Sequence, residues 1–390
     1  MKILHTADWH LGKIFKNFSL IEDQKQVLEQ LINLVSYLNP DVVIIAGDLY
    51  DKATPPAQAI QLLNDTLAKL IIELKIPVIA IAGNHDQAEK IDYCSTILQQ
   101  QGLYIFGSLP EKIPQIVLRD AYGEVFFYPF PFLTPEEMQY WIDTHTADKR
   151  NIQTFQEVFD YFIEQVKKIH PEGKRSVLIA HPFVSGGSES ESERDLVVGG
   201  SGVVEARSLA FFDYVALGHL HQPQQFLGGK VCYAGSLLKY SFSEVKHTKG
   251  VIVVEMDTQG NLQTEHIALK PLRNVQLVEG VIENDTFRLH GEEAAIGQND
   301  LLRVKLLNDQ PVANAMAIVQ RKYKYAAALE WNWQPPESYR WHKAQPQSVK
   351  KVDTIQLFES FFAEMQTQTL TDQQKNILQK LIQDLATELP

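Results

Sequence analysis

The sequence predicts an α/β fold of layered, mixed sheets flanked by helices, and three observations carry that expectation. Short apolar segments rich in β-branched residues recur through the first two-thirds of the chain. Amphipathic helical patterns lie between them, as they do where strands and helices alternate in layers. From Val231 onward the apolar segments follow one another over shorter connections, which points to antiparallel neighbours.

Ile3 to Ala7, Val42 to Ala46, Val78 to Ala82, Val177 to Ala180 and Tyr214 to Leu217 are continuously hydrophobic, the pattern of strands buried on both faces. Between the first two, Val27, Leu28, Leu31, Ile32, Leu34, Val35 and Leu38 recur with helical spacing and make one apolar face. "VCYAGS" from Val231 and "GVIVVEM" from Gly250 read as antiparallel strands, so a mixed sheet or two packed sheets fits better than a purely parallel one. From about Asn274 the pattern becomes strand, helix, strand: "LLRVKLL" (Leu301 to Leu307), a helical stretch over Ala313 to Lys322, and "AALEW" ending at Trp331. These changes divide the chain into a main domain over 1–273, a small α/β domain over 274–334, a linker over 335–350 and a helical hairpin over 351–390. Pro335, Pro336 and Pro346 mark the linker. In the hairpin, Ile355, Phe358, Phe362 and Met365 share one face. Thr371 to Gln374 fits a capping box, and Ile377, Leu378, Leu381, Ile382 and Leu385 form the second apolar face.

Composition bounds the function. The chain has 390 residues, 45% hydrophobic and 22% charged, the profile of a globular protein. Its net charge of −12 argues against coating nucleic acid unaided, because that affinity comes from neutralising phosphates. A pair of divalent cations or a basic partner could still supply a local positive field. No apolar run approaches the roughly 18 residues of a membrane span, and "MKILHTADWH" lacks the apolar core of a secretory signal. A cytoplasmic protein with no membrane association is expected. Cys94 and Cys232 stand far apart, so a metal here would need oxygen and nitrogen ligands.

Each of the buried strands ends in a metal-capable side chain. Asp8 and His10 lie in "ADWH", Asp48 in "AGDLYD", Asn84 with His85 and Asp86 in "AGNHD", His181 in "AHP", and His219 with His221 in "GHLH". Ligands of open α/β sheets bind outside the carboxyl ends of the strands, so all are expected at one edge of the same sheet. Singly, each has a bland reading: Asp8 as a cap, Asp48 and Gly83-Asn84 as turn residues, His181 before Pro182 as a structural histidine. Their joint occurrence is what argues for a site. Residues two apart in extended backbone point the same way, so Asp8 with His10, and His219 with His221, can each aim two groups at one cavity. Gly47, Gly83 and Gly218 let the backbone turn where a bulkier residue would crowd it. The mixture of carboxylate, carboxamide and imidazole suits manganese, iron or zinc better than magnesium or calcium. Asp8, His10, Asp48, Asn84, His181, His219 and His221 are too many for one ion with an open position, and suit two ions sharing a carboxylate. His5, inside the first strand, reads as a satisfied core histidine.

In this order, "DWH", "GDLYD", "GNHD", "AHP" and "GHLH" resemble the signature blocks of the calcineurin-like metallophosphoesterases. "HTADWHLGK", "SESERDLVVGG", "GHLHQPQ" and "YAGSLLKYSFSE" are similar to those of bacterial DNA repair nucleases in that superfamily. The resemblance implies that superfamily's layered fold and two divalent metal ions, with manganese the expected one. One ion would be held by Asp8, His10, Asp48 and His221, the other by Asp48, Asn84, His181 and His219, with Asp48 as the bridge. It also implies that His85 faces the scissile phosphate and that Asp86 orients its imidazole. Archaeal and eukaryotic relatives carry a histidine where this chain has Asp51, so no role for Asp51 carries over.

The implied activity is 3′ to 5′ exonuclease on double-stranded DNA ends and endonuclease on hairpin DNA, with water rather than a side chain as nucleophile. The implied partners are a coiled-coil ATPase and a second copy of the chain within a heterotetramer. The small domain would then cap the DNA path and the hairpin would dock the ATPase. Two rivals stand beside this reading: a phosphodiesterase for small cyclic nucleotides, and a non-catalytic scaffold of the same fold. "RKYKY" (Arg321 to Tyr325) reads either as a basic, aromatic DNA contact or as a solvated helix face.

Overall fold

The structure, a computed structural model, describes residues 1–193, 202–291, 296–332 and 370–388, together with Phe358, Glu359 and Phe362. Along the chain run β1 (Lys2–Thr6), α1 (Ile21–Leu38), β2 (Val42–Ala46), α2 (Ala57–Ala68), β3 (Val78–Ile81) and β4 (Leu103–Phe106). There follow β5 (Ile116–Asp120), β6 (Gly123–Pro129), α3 (Pro135–His145), α4 (Phe155–Ile169), β7 (Arg175–Ala180) and β8 (Tyr214–Leu217). The short strands β9 (Gln224–Phe226) and β10 (Val231–Tyr233) precede the longer β11 (Gly250–Met256) and β12 (Leu262–Ala268).

These strands form two mixed sheets of six, in the orders β12-β11-β1-β2-β3-β4 and β9-β10-β8-β7-β6-β5. β1 to β4 run parallel, as do β6, β7, β8 and β10, while β11, β12, β5 and β9 pair antiparallel at the margins. The sheets pack face to face through Ile3, Ile44, Ile79 and Ile81 on one side and Phe127, Val177, Ile179 and Ala216 on the other. Alternate residues turn outward: Leu4, Val43, Ile45 and Val78 pack under α1 and α2, and Leu178, Val215 and Leu217 pack under α3 and α4. Both faces of the central strands are therefore covered, which is why those strands read as continuous apolar runs. Thr134 and Thr154 start α3 and α4 with full capping boxes to Glu137 and Glu157.

Two expectations need correction. β10 runs parallel to β8, not antiparallel, because the chain first returns along the edge strand β9. That strand's "QQF" carries no apolar run to announce it. The predicted site edge also belongs to two sheets: β1, β2 and β3 lie in one, β7 and β8 in the other. Their carboxyl ends meet because the sheets are in direct contact there. His5 of β1 reaches across, donating from Nε2 to the Leu217 carbonyl at 3.1 Å and accepting from the Tyr214 hydroxyl at 2.8 Å. It is fully buried and satisfied, as its sequence context implied.

After Arg273 the chain forms a four-stranded sheet, β14-β13-β15-β16, from β13 (Val275–Glu283), β14 (Thr286–Leu289), β15 (Leu301–Leu306) and β16 (Ala326–Trp331). Helix α5 (Ala315–Lys322) covers it around a separate core of Val278, Phe287, Leu302, Val304, Ile318 and Val319. The strand, helix, strand reading holds; β13 and β14 were not foreseen, since their apolar residues alternate with polar ones. Tyr323 belongs to this core and Tyr325 packs edge-on against Phe18, so the aromatic members of "RKYKY" are structural. The linker over 335–350 and most of the first hairpin helix lie outside the described residues. The second hairpin helix, α6 (Asp372–Glu388), is present, and Thr371 and Gln374 exchange the reciprocal bonds of its capping box.

Candidate metal centre

The site is built on the turns immediately after β1, β2, β3, β7 and β8, and those after β1, β2 and β8 are strained. Asp8, His10, Asp48 and His219 all have positive φ, an unusual and costly backbone for residues with side chains. The three glycines make room for them. A Cβ on Gly47 would lie 2.2 Å from His181 Nδ1, one on Gly83 2.2 Å from Asp48 Oδ1, and one on Gly218 1.9 Å from the Ala46 carbonyl oxygen. The "DWH" turn is pinned from behind: Gln24 donates to the His10 carbonyl at 2.7 Å, and the Tyr240 hydroxyl donates to the Trp9 carbonyl at 2.5 Å.

The structure brings all seven predicted ligand residues together. His10 Nε2 and His221 Nε2 lie 3.0 Å apart, and Asp8, His10 and His221 make one cluster of metal-ligand type. Asp8, Asp48 and His181 make another. Asp48 Oδ2 stands 3.5 Å from His10 Nε2 and 3.4 Å from His181 Nε2, so it belongs to both sides. The Asn84 side-chain Oδ1 completes the second side, 3.1 Å from His181 Nε2 and 3.3 Å from His219 Nδ1. His181 Nδ1 donates to the Ala46 carbonyl at 2.8 Å, which aims Nε2 into the site.

The electrostatics favour a cation. Burial pushes the Asp8 carboxyl up to about 7 and holds His10 well below the ordinary imidazole range. Burial, assisted by the charge of His181, lowers His219 to about 3, so His10 and His219 are neutral donors at neutral pH. Burial alone would raise Asp48, but His181, by charge and hydrogen bond, and His10 hold it well below the usual carboxylate range. Burial likewise opposes charge on His181, yet Asp48 and Asp8 raise it to about 9. The field of Asp48 and Asp8 that holds a proton on this buried imidazole would act in the same sense on a metal cation. Asp8 Oδ2 is also buried without a hydrogen-bond partner, a donor atom with nothing else to do. The donor set fits divalent transition ions.

His85 is half-buried beside this cluster, its ring centroid 4.7 Å from that of His10. Its Nδ1 donates to the Asp51 carbonyl at 2.9 Å, so Nε2 is the atom free to exchange a proton. This corrects the role expected of Asp86. Asp86 accepts backbone N–H groups from Leu49 and Gly83 at 3.0 Å each and from Tyr50 at 2.9 Å, which ties the two ligand-bearing turns together. The carbonyl of Asp51, not the carboxylate of Asp86, orients the imidazole. The Asp51 side chain meets Lys13 Nζ at 2.7 Å and stands 3.7 Å from His10 Nδ1. Ser192, Glu193, Glu244 and Lys249, around His221, were not singled out from the sequence. The only signal for Ser192, Glu193 and Glu244 was their place in the "SESERD" and "YSFSE" blocks; Lys249 lies outside both.

Comparisons with known proteins identify the family. The family model described as calcineurin-like phosphoesterase matches residues 1–223. The chain is 36% identical to the D subunit of nuclease SbcCD from Staphylococcus epidermidis, covering 98% of each sequence. It is 35% identical to the protein of the same name from Staphylococcus saprophyticus, covering 100% of this chain and 99% of the relative. Among the described residues no helix is long and apolar enough to cross a membrane. With a matching domain over more than half its length and full-length relatives above 30% identity, the chain belongs to the calcineurin-like phosphoesterases, on the branch of the SbcD nucleases.

Proposed function

We propose that the chain is the nuclease subunit of an SbcCD-type complex in the cytoplasm, acting as a 3′ to 5′ exonuclease on double-stranded ends and as an endonuclease on hairpin DNA. The observation that carries this reading is the convergence of carboxylate, carboxamide and imidazole donors from five strand ends beside an imidazole of fixed tautomer. Asp8, His10, Asp48 and His221 would hold one divalent ion, and Asp48, Asn84, His181 and His219 the other, manganese being the ion proposed. Such a pair supplies water activation and charge neutralisation at a phosphate. The chain's own residues do the rest. The Asp51 carbonyl fixes the His85 proton on Nδ1, so Nε2 is the atom through which the ring would pass a proton to the leaving oxygen of the phosphodiester. Asp86 holds the Asp48 and His85 turns in register through its three backbone bonds.

The sheet after Arg273 is proposed to cap the DNA path. The C-terminal hairpin is proposed to dock a coiled-coil ATPase of the SbcC type, in an assembly holding two copies of this chain. Phe358, Ile377 and Leu381 are 40%, 60% and 54% exposed, which supports a helix-in-groove contact.

The test is manganese-dependent cleavage of blunt-ended and hairpin DNA, with and without the ATPase and ATP, beside cyclic nucleotides as competing substrates. Faster turnover of cyclic nucleotides than of DNA would replace this reading with the small-nucleotide phosphodiesterase. Removal of residues 350–390 should leave the basal nuclease intact and abolish ATPase binding; an intact complex after that removal refutes the docking role.

A further inference from the structure

Three sequence blocks distant in the chain meet behind His221. "SESE" contributes Ser192 and Glu193, "GHLH" contributes His221, and "YSFSE" contributes Glu244. His221 is held at three separate points. Its backbone N–H donates to Glu193 Oε1 at 2.7 Å, its carbonyl accepts from Lys249 Nζ at 2.6 Å, and its Nδ1 lies 2.6 Å from Ser192 Oγ. Ser192 Oγ in turn donates to Glu244 Oε1 in a short bond. Glu244 is fully buried, and its other oxygen lies 2.5 Å from the Lys249 ammonium, itself only 5% exposed. Lys249 also donates to Ser236 Oγ at 2.9 Å.

The direction of every proton in this chain is set by what each group can do. A carboxylate paired with an ammonium only accepts, so Ser192 must spend its one hydrogen on Glu244. The Ser192 oxygen is then an acceptor toward His221, whose Nδ1 must carry the hydrogen. In the neutral imidazole that a metal requires, His221 Nε2, which faces His10 Nε2 at 3.0 Å, is thereby the lone-pair atom.

We infer that Ser192 and Glu244, with Glu193 and Lys249 securing the backbone, form a positioning relay that fixes the tautomer and ring orientation of His221 as a metal ligand. This rests on the two-ion reading of the site. The segment carrying Ser192 and Glu193 is thus part of the metal centre, touching His221 from behind rather than supplying a ligand. Partners of this kind behind a ligating imidazole are worth about ten- to a hundredfold in metal affinity.

The experiment is manganese titration of the full chain by calorimetry, with metal content of the dialysed protein and electron paramagnetic resonance, which separates a lone ion from a spin-coupled pair. Wild type is expected to bind two ions. Ser192→Ala, which leaves the buried Glu244–Lys249 pair in place, should lose about ten- to a hundredfold in affinity for one ion only. Its resonance at limiting manganese should shift from the coupled pair to the lone ion while the protein remains folded in chelator, with its melting temperature lowered by the lost Ser192 bonds, and Ser192→Thr should restore the pair. Glu244→Gln should lose affinity in the same direction, as a second variant through a different atom of the relay. Folded Ser192→Ala and Glu244→Gln proteins that both bind two ions with wild-type affinity overturn the relay while leaving the two-ion reading intact. A wild-type chain that binds fewer than two ions overturns the two-ion reading itself, and the relay with it.

Discussion

Substituting Asp86 separates two roles that the sequence could not tell apart. In the structure its carboxylate accepts three backbone N–H groups, from Leu49, Tyr50 and Gly83, at 2.9 to 3.0 Å. Asparagine keeps one oxygen, able to serve the Leu49 and Gly83 donors that now share Oδ2, and turns an NH₂ toward the Tyr50 N–H. One donor is left unsatisfied, at a cost of about 1–3 kcal/mol. The lower end applies, because burial and the charge of Asp48 already push the Asp86 carboxyl up to about 7, and asparagine removes that repulsion. Alanine strands all three donors; water entering the half-buried loop limits the loss to on the order of 4 kcal/mol. Denaturant unfolding should therefore order the proteins wild type, Asp86→Asn, Asp86→Ala, and manganese affinity should fall in the same order as the Asp48 turn loosens. Had Asp86 acted by orienting His85, Asp86→Asn would leave stability and manganese binding unchanged and would shift only the pH profile of cleavage. That outcome refutes the tethering role.

Three further outcomes are expected. His85→Ala should keep both metals and lose about 10² to 10⁴ in cleavage rate, the contribution of a positioned acid; a wild-type rate would remove His85 from the chemistry. Gly47→Ala should weaken manganese binding sharply, because its Cβ collides with the His181 ring at a φ of +94°, whereas Gly123→Ala, at φ +122° with open space around it, should carry only backbone strain and bind manganese normally. Equal manganese affinity in the two variants would sink the steric argument. The third outcome concerns pH. His181 sits at about 9 against an ordinary 6.5, so in chelator its stabilising contribution is whole below pH 6.5 and is lost as pH rises through 9, about 3 kcal/mol in all. Manganese saturation should remove this loss, and manganese affinity should climb over the same range as the proton becomes easier to displace. Stability in chelator that stays flat from pH 6.5 to 9 would refute the ion-pair origin of the shift.

The sequence by itself determined which strands are buried and which residue types end them. A strand covered on both faces must be apolar at every position, so β1, β2, β3, β7 and β8 announce themselves, and any polar group at their ends stands out against that background. The glycines at 47, 83 and 218 were legible for the same reason: at a crowded turn only the absence of a Cβ fits. Tertiary structure decided what depends on who faces whom. That the five strand ends come from two sheets rather than one follows from sheet packing, which leaves no local trace in a strand's composition. β9, β13 and β14 escaped notice because strands with a wetter face carry only a weak alternation. Asp86 beside His85 in sequence suggested a partnership, but a tight turn sends adjacent side chains apart, and the imidazole found the Asp51 carbonyl from another loop. Ser192 and Glu244 carried no sign of a shared role along the chain; folding sets Ser192, half-buried, and Glu244, fully buried, behind His221, where the buried carboxylate is tolerated because it has hydrogen-bond partners. Residue types and spacing can be read along the chain; hydrogen-bond partnership across loops exists only after the chain has folded.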